Sequence, residues 1–300
     1  MPILALITAM LLWGSSFVAL KLAFQYYDPM VVIFGRMLVG TLCMLLFMGR
    51  FRRAQYRKGD IAQLLLLALF EPCLYFTFEA TALTYTTAGQ AGMITAMLPL
   101  MVAVAATLIL GERITRRTLL GFVIAVCGAV WLSLGGRASE NAPNPMLGNF
   151  LEFVAMVCAT GYTIMAKKLS PRYGPLLMTA IQSSVGTLFF FPIMFLPPTT
   201  LPTAFNWGGV VAILYLGAFV TMGAYFFYNY GISRIPASQA SAFVNLIPVF
   251  CVLLGRVVLG ETFTGGQYAA SIVVLAGVFL SQDMVVRRQN TRIKSGDSAG

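Results

Sequence analysis

Ten stretches of about twenty residues, nearly free of charge, leave this chain few ways to fold. They are Ile3–Phe24, Met30–Met48, Ile61–Leu83, Ala88–Leu110 and Thr118–Leu134, then Leu147–Ala166, Pro175–Leu196, Trp207–Ile232, Ser238–Leu259 and Gly266–Val285. As a helix, each is long enough to cross a hydrocarbon core of about 30 Å. A membrane barrel shows alternating polarity over about ten residues per strand, and these runs are apolar on every side. Composition agrees. The chain is 59% hydrophobic and 10% charged, whereas soluble domains carry about 25% charged residues. It has too little polar surface to face water all round, so most of its solvent is lipid.

The formal net charge is +10. The basic residues sit in short loops and in the tail, so the charge does not imply nucleic acid; it follows the orientation rule for membrane proteins and suits acidic lipid headgroups. Arg50, Arg52, Arg53, Arg57 and Lys58 follow the second run, and Arg113, Arg116 and Arg117 the fourth. Lys167, Lys168 and Arg172 follow the sixth, Arg234 the eighth, and Arg287, Arg288, Arg292 and Lys294 the tenth. With ten spans, all of these fall on one side. The other side has Arg137, balanced by Glu140, with Lys21 and Asp28 near the first outer loop. The basic side is expected to be cytoplasmic, with both termini there, in a multi-pass protein of the cell (inner) membrane. The first run reads as an uncleaved span, and residues 287–300 as a disordered cytoplasmic tail.

The two halves of the chain repeat each other. Ala88-Gly89-Gln90-Ala91, Pro99 and Leu110-Gly111-Glu112 recur at the same spacing as Ala237-Ser238-Gln239-Ala240, Pro248 and Leu259-Gly260-Glu261. Tyr75 with Glu79 matches Tyr225 with Asn229, and Gly14 with Lys21 matches Gly161 with Lys168. An odd number of spans per half turns the second copy upside down. The expected fold is therefore an all-α membrane protein with ten transmembrane helices in two inverted five-helix repeats, 1–137 and 146–286. That architecture points to a secondary transporter with its site between the halves.

Histidine is absent, and the five cysteines (Cys43, Cys73, Cys127, Cys158, Cys251) all lie in apolar runs. Neither a disulfide framework nor a CxxC metal site is expected, and any coupled proton has to ride on carboxylates or tyrosines. No P-loop, dinucleotide fingerprint or nucleophile elbow occurs. No enzyme activity, cofactor or metal is therefore expected.

Trp13-Gly14-Ser15-Ser16-Phe17, Arg36 in the second run and the twin Gly-Glu endings at Glu112 and Glu261 resemble the EamA family of the drug/metabolite transporter superfamily, from Ala5 to about Val285. The resemblance implies ten helices, alternating access and export of amino acids or other small metabolites. The second half departs from the pattern, with Thr160-Gly161-Tyr162 in place of the tryptophan-glycine opening.

Charges inside a span mark functional candidates. Glu71, Tyr75 and Glu79 stand at i, i+4 and i+8, one stripe of a continuous helix. A carboxylate there binds an amine or takes a proton. Thr221, Tyr225 and Asn229 form the matching stripe in the eighth run. Arg36 is expected to pair with Glu79 or Glu71, or to bind a substrate carboxylate. Trp13, Tyr162, Gln90 and Asn245 complete the candidate substrate site. Pro99 and Pro248, read as mid-helix, are candidate hinges. Glu112 and Glu261 are expected to bind loop amides or a basic neighbour and so lock gates. The expected function is proton-coupled export of amino acids or related amines, or alternatively of aromatic and cationic drugs, by a monomer or weak dimer. The expected partners are the substrate, protons and membrane lipids.

Overall fold

The computed structural model describes residues 1–47, 49, 57, 59–110, 116–136, 138–140, 142–235, 237–277 and 280. Glu112, most of the basic stretch 48–58, Arg113, Arg137 and the tail from Arg287 lie outside the described residues.

The described chain is helical, apart from an isolated bridge between Ser139 and Ala142. Helices α1 (Pro2–Phe24) and α2 (Pro29–Leu45) precede α3 (Asp60–Ala68), a π-helical segment (Leu69–Leu74) and α4 (Tyr75–Tyr85). Then come α5 (Ala88–Thr95), α6 (Leu98–Leu110), α7 (Arg116–Leu134), α8 (Pro145–Leu169) and α9 (Pro175–Ile193). A second π-helical segment (Leu216–Ala224) joins α10 (Trp207–Tyr215) to α11 (Tyr225–Arg234). A 3₁₀ segment (Phe243–Leu246) joins α12 (Ala237–Ala242) to α13 (Ile247–Leu259), and α14 covers 265–277. Among the described residues, six helices are long and apolar enough to cross a membrane: Pro2–Phe24, Asp60–Tyr85, Ala88–Ile109, Pro145–Leu169, Pro175–Ile193 and Trp207–Arg234.

The helix starts are written locally. Proline occupies the first turn of α1, α2, α8 and α9, where its missing N–H costs nothing. Asp28, Thr87, Asn144 and Asn206 accept backbone N–H bonds as N-caps of α2, α5, α8 and α10. The prolines expected to kink mid-helix do something else. Pro99 and Pro248 fall in the first turns of α6 and α13, just after breaks at Ala96–Met97 and Phe243–Leu246. Each apolar run is thus two helices, and the proline begins the second without removing an internal bond.

The two halves carry these breaks at matching places. The first π segment ends just before Tyr75 and the second just before Tyr225. Helices α5 and α13 cross antiparallel: Cys251 packs on Gly92, while Glu261 reaches the start of α5. Burial is inverted relative to a soluble protein. Arg36, Glu71, Glu79, Glu152, Gln182 and Asn229 are inside, while Leu46, Leu108, Leu188, Trp207 and Val257 point outward. That is the partition expected of a chain whose outer solvent is lipid.

Small residues set the closest helix crossings. A Cβ at Gly128 would lie 2.7 Å from the backbone nitrogen of Val274, and one at Gly277 2.6 Å from that of Ala125, so α7 and α14 touch through their main chains. Gly128→Leu is expected to cost about 1–3 kcal/mol through overpacking, read as a lower thermal midpoint of the detergent-solubilised protein. Gly174→Leu is the control, because open space surrounds that position. Equal losses in both variants would contradict the crossing.

At one end, Asp60 opens α3 and binds the turn after α8. Its carboxylate accepts Arg172 Nη1 at 2.6 Å and the Tyr173 hydroxyl at 2.6 Å. The five cysteines are all free thiols.

Candidate functional site

Proline at 72 and a main chain at Glu71 that leaves helical geometry (φ −150°, ψ 115°) break the third run. The expected Glu71–Tyr75–Glu79 stripe therefore does not continue through Glu71. The break has two consequences. It frees the Glu71 carbonyl, which accepts Gln182 Nε2 at 3.0 Å. It also directs the Glu71 side chain into a cavity that Tyr75 and Glu79 reach from the unbroken α4. Free backbone acceptors are tolerated at such depth only beside protein or a wet cavity.

The cavity has a charged wall and an aromatic wall. Glu71, Glu79 and Arg36 line it with Ser16, Thr95 and Thr163, and Trp13, Phe17, Tyr75, Phe76, Tyr162 and Tyr228 supply rings. Leu98, Met156, Ala159, Val244 and Ile247 complete it. The cavity volume is ≈ 40 Å³, against about 10–15 Å³ for one water on the same measure. That is room for a few waters, and a metabolite needs the walls to part.

Each carboxylate is held by a tyrosine. The Tyr225 hydroxyl donates to Glu71 Oε1 at 2.7 Å, and Tyr75 donates to Glu79 Oε1 at 2.7 Å. Glu79 Oε2 is buried without a partner. Arg36 is 1% exposed. Among the described residues it forms no ion pair, contrary to the pairing expected. Its Nε donates to Thr221 Oγ1 at 3.2 Å, and its guanidinium lies 4.1 Å above the Phe76 ring, a cation–π seat. Nη1 has no partner. Glu79 and Glu71 share the chamber with this cation.

Several candidates stand behind the wall and not in it. Tyr225 reaches the cavity only through Glu71, and its ring packs edge-on against Trp13 at 5.8 Å between centroids. Asn229 is fully buried, accepts the Tyr162 hydroxyl at 2.9 Å, and donates to Thr179 and Gln182 at 3.2 Å. It positions Tyr162 and Gln182, and it occupies Glu79's place in the repeat without Glu79's exposure to the cavity. Gln90 is drawn away from the cavity, its Oε1 accepting Asn149 Nδ2 at 3.0 Å. Asn245 lies between the lining residues Val244 and Ile247, but its amide oxygen is buried and unpartnered. Trp13 and Tyr162 line the cavity.

Two residues went unrecognised in the sequence. Gln182 bridges Glu71 and Asn229. Glu152 is a fully buried carboxylate on α8, and the rule that singled out Glu71 applies to it equally. Glu261 binds backbone amides, one of the two partner types expected for it. Its two oxygens accept Ala88 N at 2.8 Å and Gly89 N at 2.9 Å, capping α5 from the other half of the chain. Lys167 donates to the Ile232 and Ile235 carbonyls at the end of α11.

A second hollow, between α13 and α14, is walled mainly by Val, Leu, Ile, Pro, Met and Phe, with Arg256, Tyr268 and Ser271 as its polar members. Its sides include the outward-facing Val249, Leu253, Val257 and Ile272, so it belongs to the lipid face.

A helical chain with an apolar exterior and a buried chamber of opposite charges is a multi-pass membrane protein. It belongs to the EamA-like transporter family, which matches residues 1–134 and again 146–282. The chain is 30% identical over 289 residues to the uncharacterized transporter YetK of Bacillus subtilis, covering 92% of this chain and 85% of that one. An uncharacterized transporter of Archaeoglobus fulgidus is 27% identical over 92% of this chain and 95% of its own length. A probable terminal-alkyne amino-acid exporter of Streptantibioticus cattleyicolor is 22% identical over 92% and 91%. One solved crystal structure superposes with a TM-score of 0.67 at 19% identity, covering 95% of this chain and 97% of that one, and so shares the fold.

Proposed function

We propose that the protein exports small zwitterionic or cationic metabolites, amino acids or related amines, across the cell membrane by alternating access coupled to protons. One observation carries the reading: a single chamber holds an arginine with an unpartnered Nη1 and two carboxylates, one with a bare oxygen. An α-amino acid brings the complementary pair, an ammonium for Glu71 or Glu79 and a carboxylate for Arg36. The rings around them form a tolerant apolar wall for side chains. The S. cattleyicolor relative named as an amino-acid exporter supports the same class.

The proposed topology is ten spans in two inverted halves with both termini cytoplasmic, working as a monomer or weak dimer. The matched helix breaks and the antiparallel α5–α13 crossing support it, and alternating access would part those helices. A second reading, export of aromatic cations, is favoured by the Trp13–Tyr228 contact at 4.9 Å beside Glu71. Thermal-shift screening of amino acids against lipophilic cations separates the two.

The coupling test is Glu79→Gln in proteoliposomes with an imposed pH gradient. The variant is expected to lose accumulation against a gradient while keeping downhill flux. Gradient-driven accumulation at the wild-type level would refute the role of Glu79.

A further inference from the structure

Glu152 is fully buried, and neither of its carboxylate oxygens has a hydrogen-bond partner. It does not line the cavity. Its place relative to Glu79 follows from the crossing of α4 and α8. A Cβ on Gly148 would meet Ala82 and Thr86, Met156 and Tyr75 share the cavity wall, and Gly161 rests on the Phe70 ring. Each step forward on α8 is a step back on the facing strand of chain, as two antiparallel helices of equal rise require. Glu152 therefore falls opposite Glu79, whose Oε2 is also bare.

No cation stands beside Glu152 among the described residues. The titratable groups near it are Glu79 and Tyr75 of α4 and Cys251 of α13. Helices α5, α6 and α12 have no titratable side chain. Arg116 and Arg117 of α7 lie about four and a half turns from Ser133, the α7 residue that bonds Asn149. On α8 itself, Lys167 lies about four turns away, bonded to carbonyls. Asp60 of α3 is held by Arg172 and Tyr173, Glu71 of the first π segment by Tyr225, and Tyr228 of α11 by Thr163. Arg234, at the end of α11, sits over Tyr230. Arg36 shares the chamber with Glu79 and offsets its charge, but no cation is left for Glu152, so a second charge facing Glu79 in this interior is prohibitively costly.

We propose that Glu152 is the proton-holding group of this protein, sharing one proton with Glu79 across the α4–α8 crossing. The inference rests on the transport reading above and deepens it. The proton leaves one carboxyl as it joins the other, and the pair keeps a single negative charge. Glu79 faces the chamber, so a proton on it meets the substrate site. Glu152 faces away from it. One turn nearer the start of α8, Asn149 bonds Thr86, Gln90 and Ser133, and Ser133 is only half-buried. Polar groups therefore continue from Glu152 to that end of the bundle. Hard metal cations take six or more oxygen ligands, which two carboxyls alone do not supply.

The test is pH-difference infrared spectroscopy of the full chain in liposomes without substrate. Wild type is expected to show a protonated-carboxyl stretch that Glu152→Gln abolishes. Glu152→Asp should keep it, which separates loss of the group from loss of the fold. Glu79→Gln should shift both the band and its titration midpoint, and Glu71→Gln should leave the band in place. A Glu152→Gln spectrum superimposable on wild type overturns the proposal. So does loss of the band on replacing choline chloride with sodium chloride at constant pH, which would mark a cation site. Because no substrate is used, failed transport would overturn the functional reading alone, and an unchanged band this inference alone.

Discussion

Glu71→Gln is expected to weaken binding of an amino acid or amine by roughly 30- to 4,000-fold, the equivalent of about 2–5 kcal/mol for a buried charge stripped of its partner. The substitution keeps shape, and the amide oxygen still accepts the Tyr225 hydroxyl, so the fold should persist. Only the charge facing the chamber disappears. Tyr225→Phe leaves that charge in place and removes one hydrogen bond, so it should cost roughly tenfold or less. Isothermal titration with whichever solute stabilises the purified protein reads both. Equal affinities for wild type and Glu71→Gln would take the carboxylate out of the binding site.

Glu261→Ala should loosen the α5–α13 crossing. The carboxylate holds two N–H groups at the start of α5, where the helix dipole favours an anion. Glycine makes the approach close. A Cβ at Gly255 would lie 2.7 Å from Glu261 Oε2, and one at Gly89 2.8 Å from the Phe263 ring. Losing both bonds should cost about 2 kcal/mol, discounted for the partial exposure of Glu261. The crossing contains its own reporter. Cys251 is buried against Gly92, its thiol 3.4 Å from the Gly14 carbonyl. Maleimide labelling of Cys251, followed by peptide mass spectrometry, should accelerate roughly 30-fold if that energy is what keeps the helices together. Glu261→Gln, which retains one acceptor oxygen, should fall between. Unchanged labelling in Glu261→Ala would mean that the cap does not hold the two halves together.

The sequence alone made the membrane, the repeat and the family legible. Runs of apolar residues as long as a bilayer is thick admit one solvent, and the matched Gln90 and Gln239, Pro99 and Pro248, and Glu112 and Glu261 expose the duplication. Residue type also sufficed for Glu71, Glu79, Arg36 and Trp13, because a charge or a large amphipathic ring inside such a run needs a reason. Helix rotation was not legible. A run that is apolar on every side has no stripe to say which face turns inward, so packing alone decided that Glu71 and Arg36 share a chamber while Tyr225, Asn229 and Gln90 stand behind it. Nor did the hydrophobic pattern reveal the breaks at Glu71–Pro72, Ala96–Met97 and Phe243–Leu246, since lipid registers apolarity and is indifferent to a change of helical pitch. Glu152 shows the same division. Its presence was written in the sequence, but its meaning comes from Glu79 on the neighbouring helix, a proximity that exists only once the chain has folded.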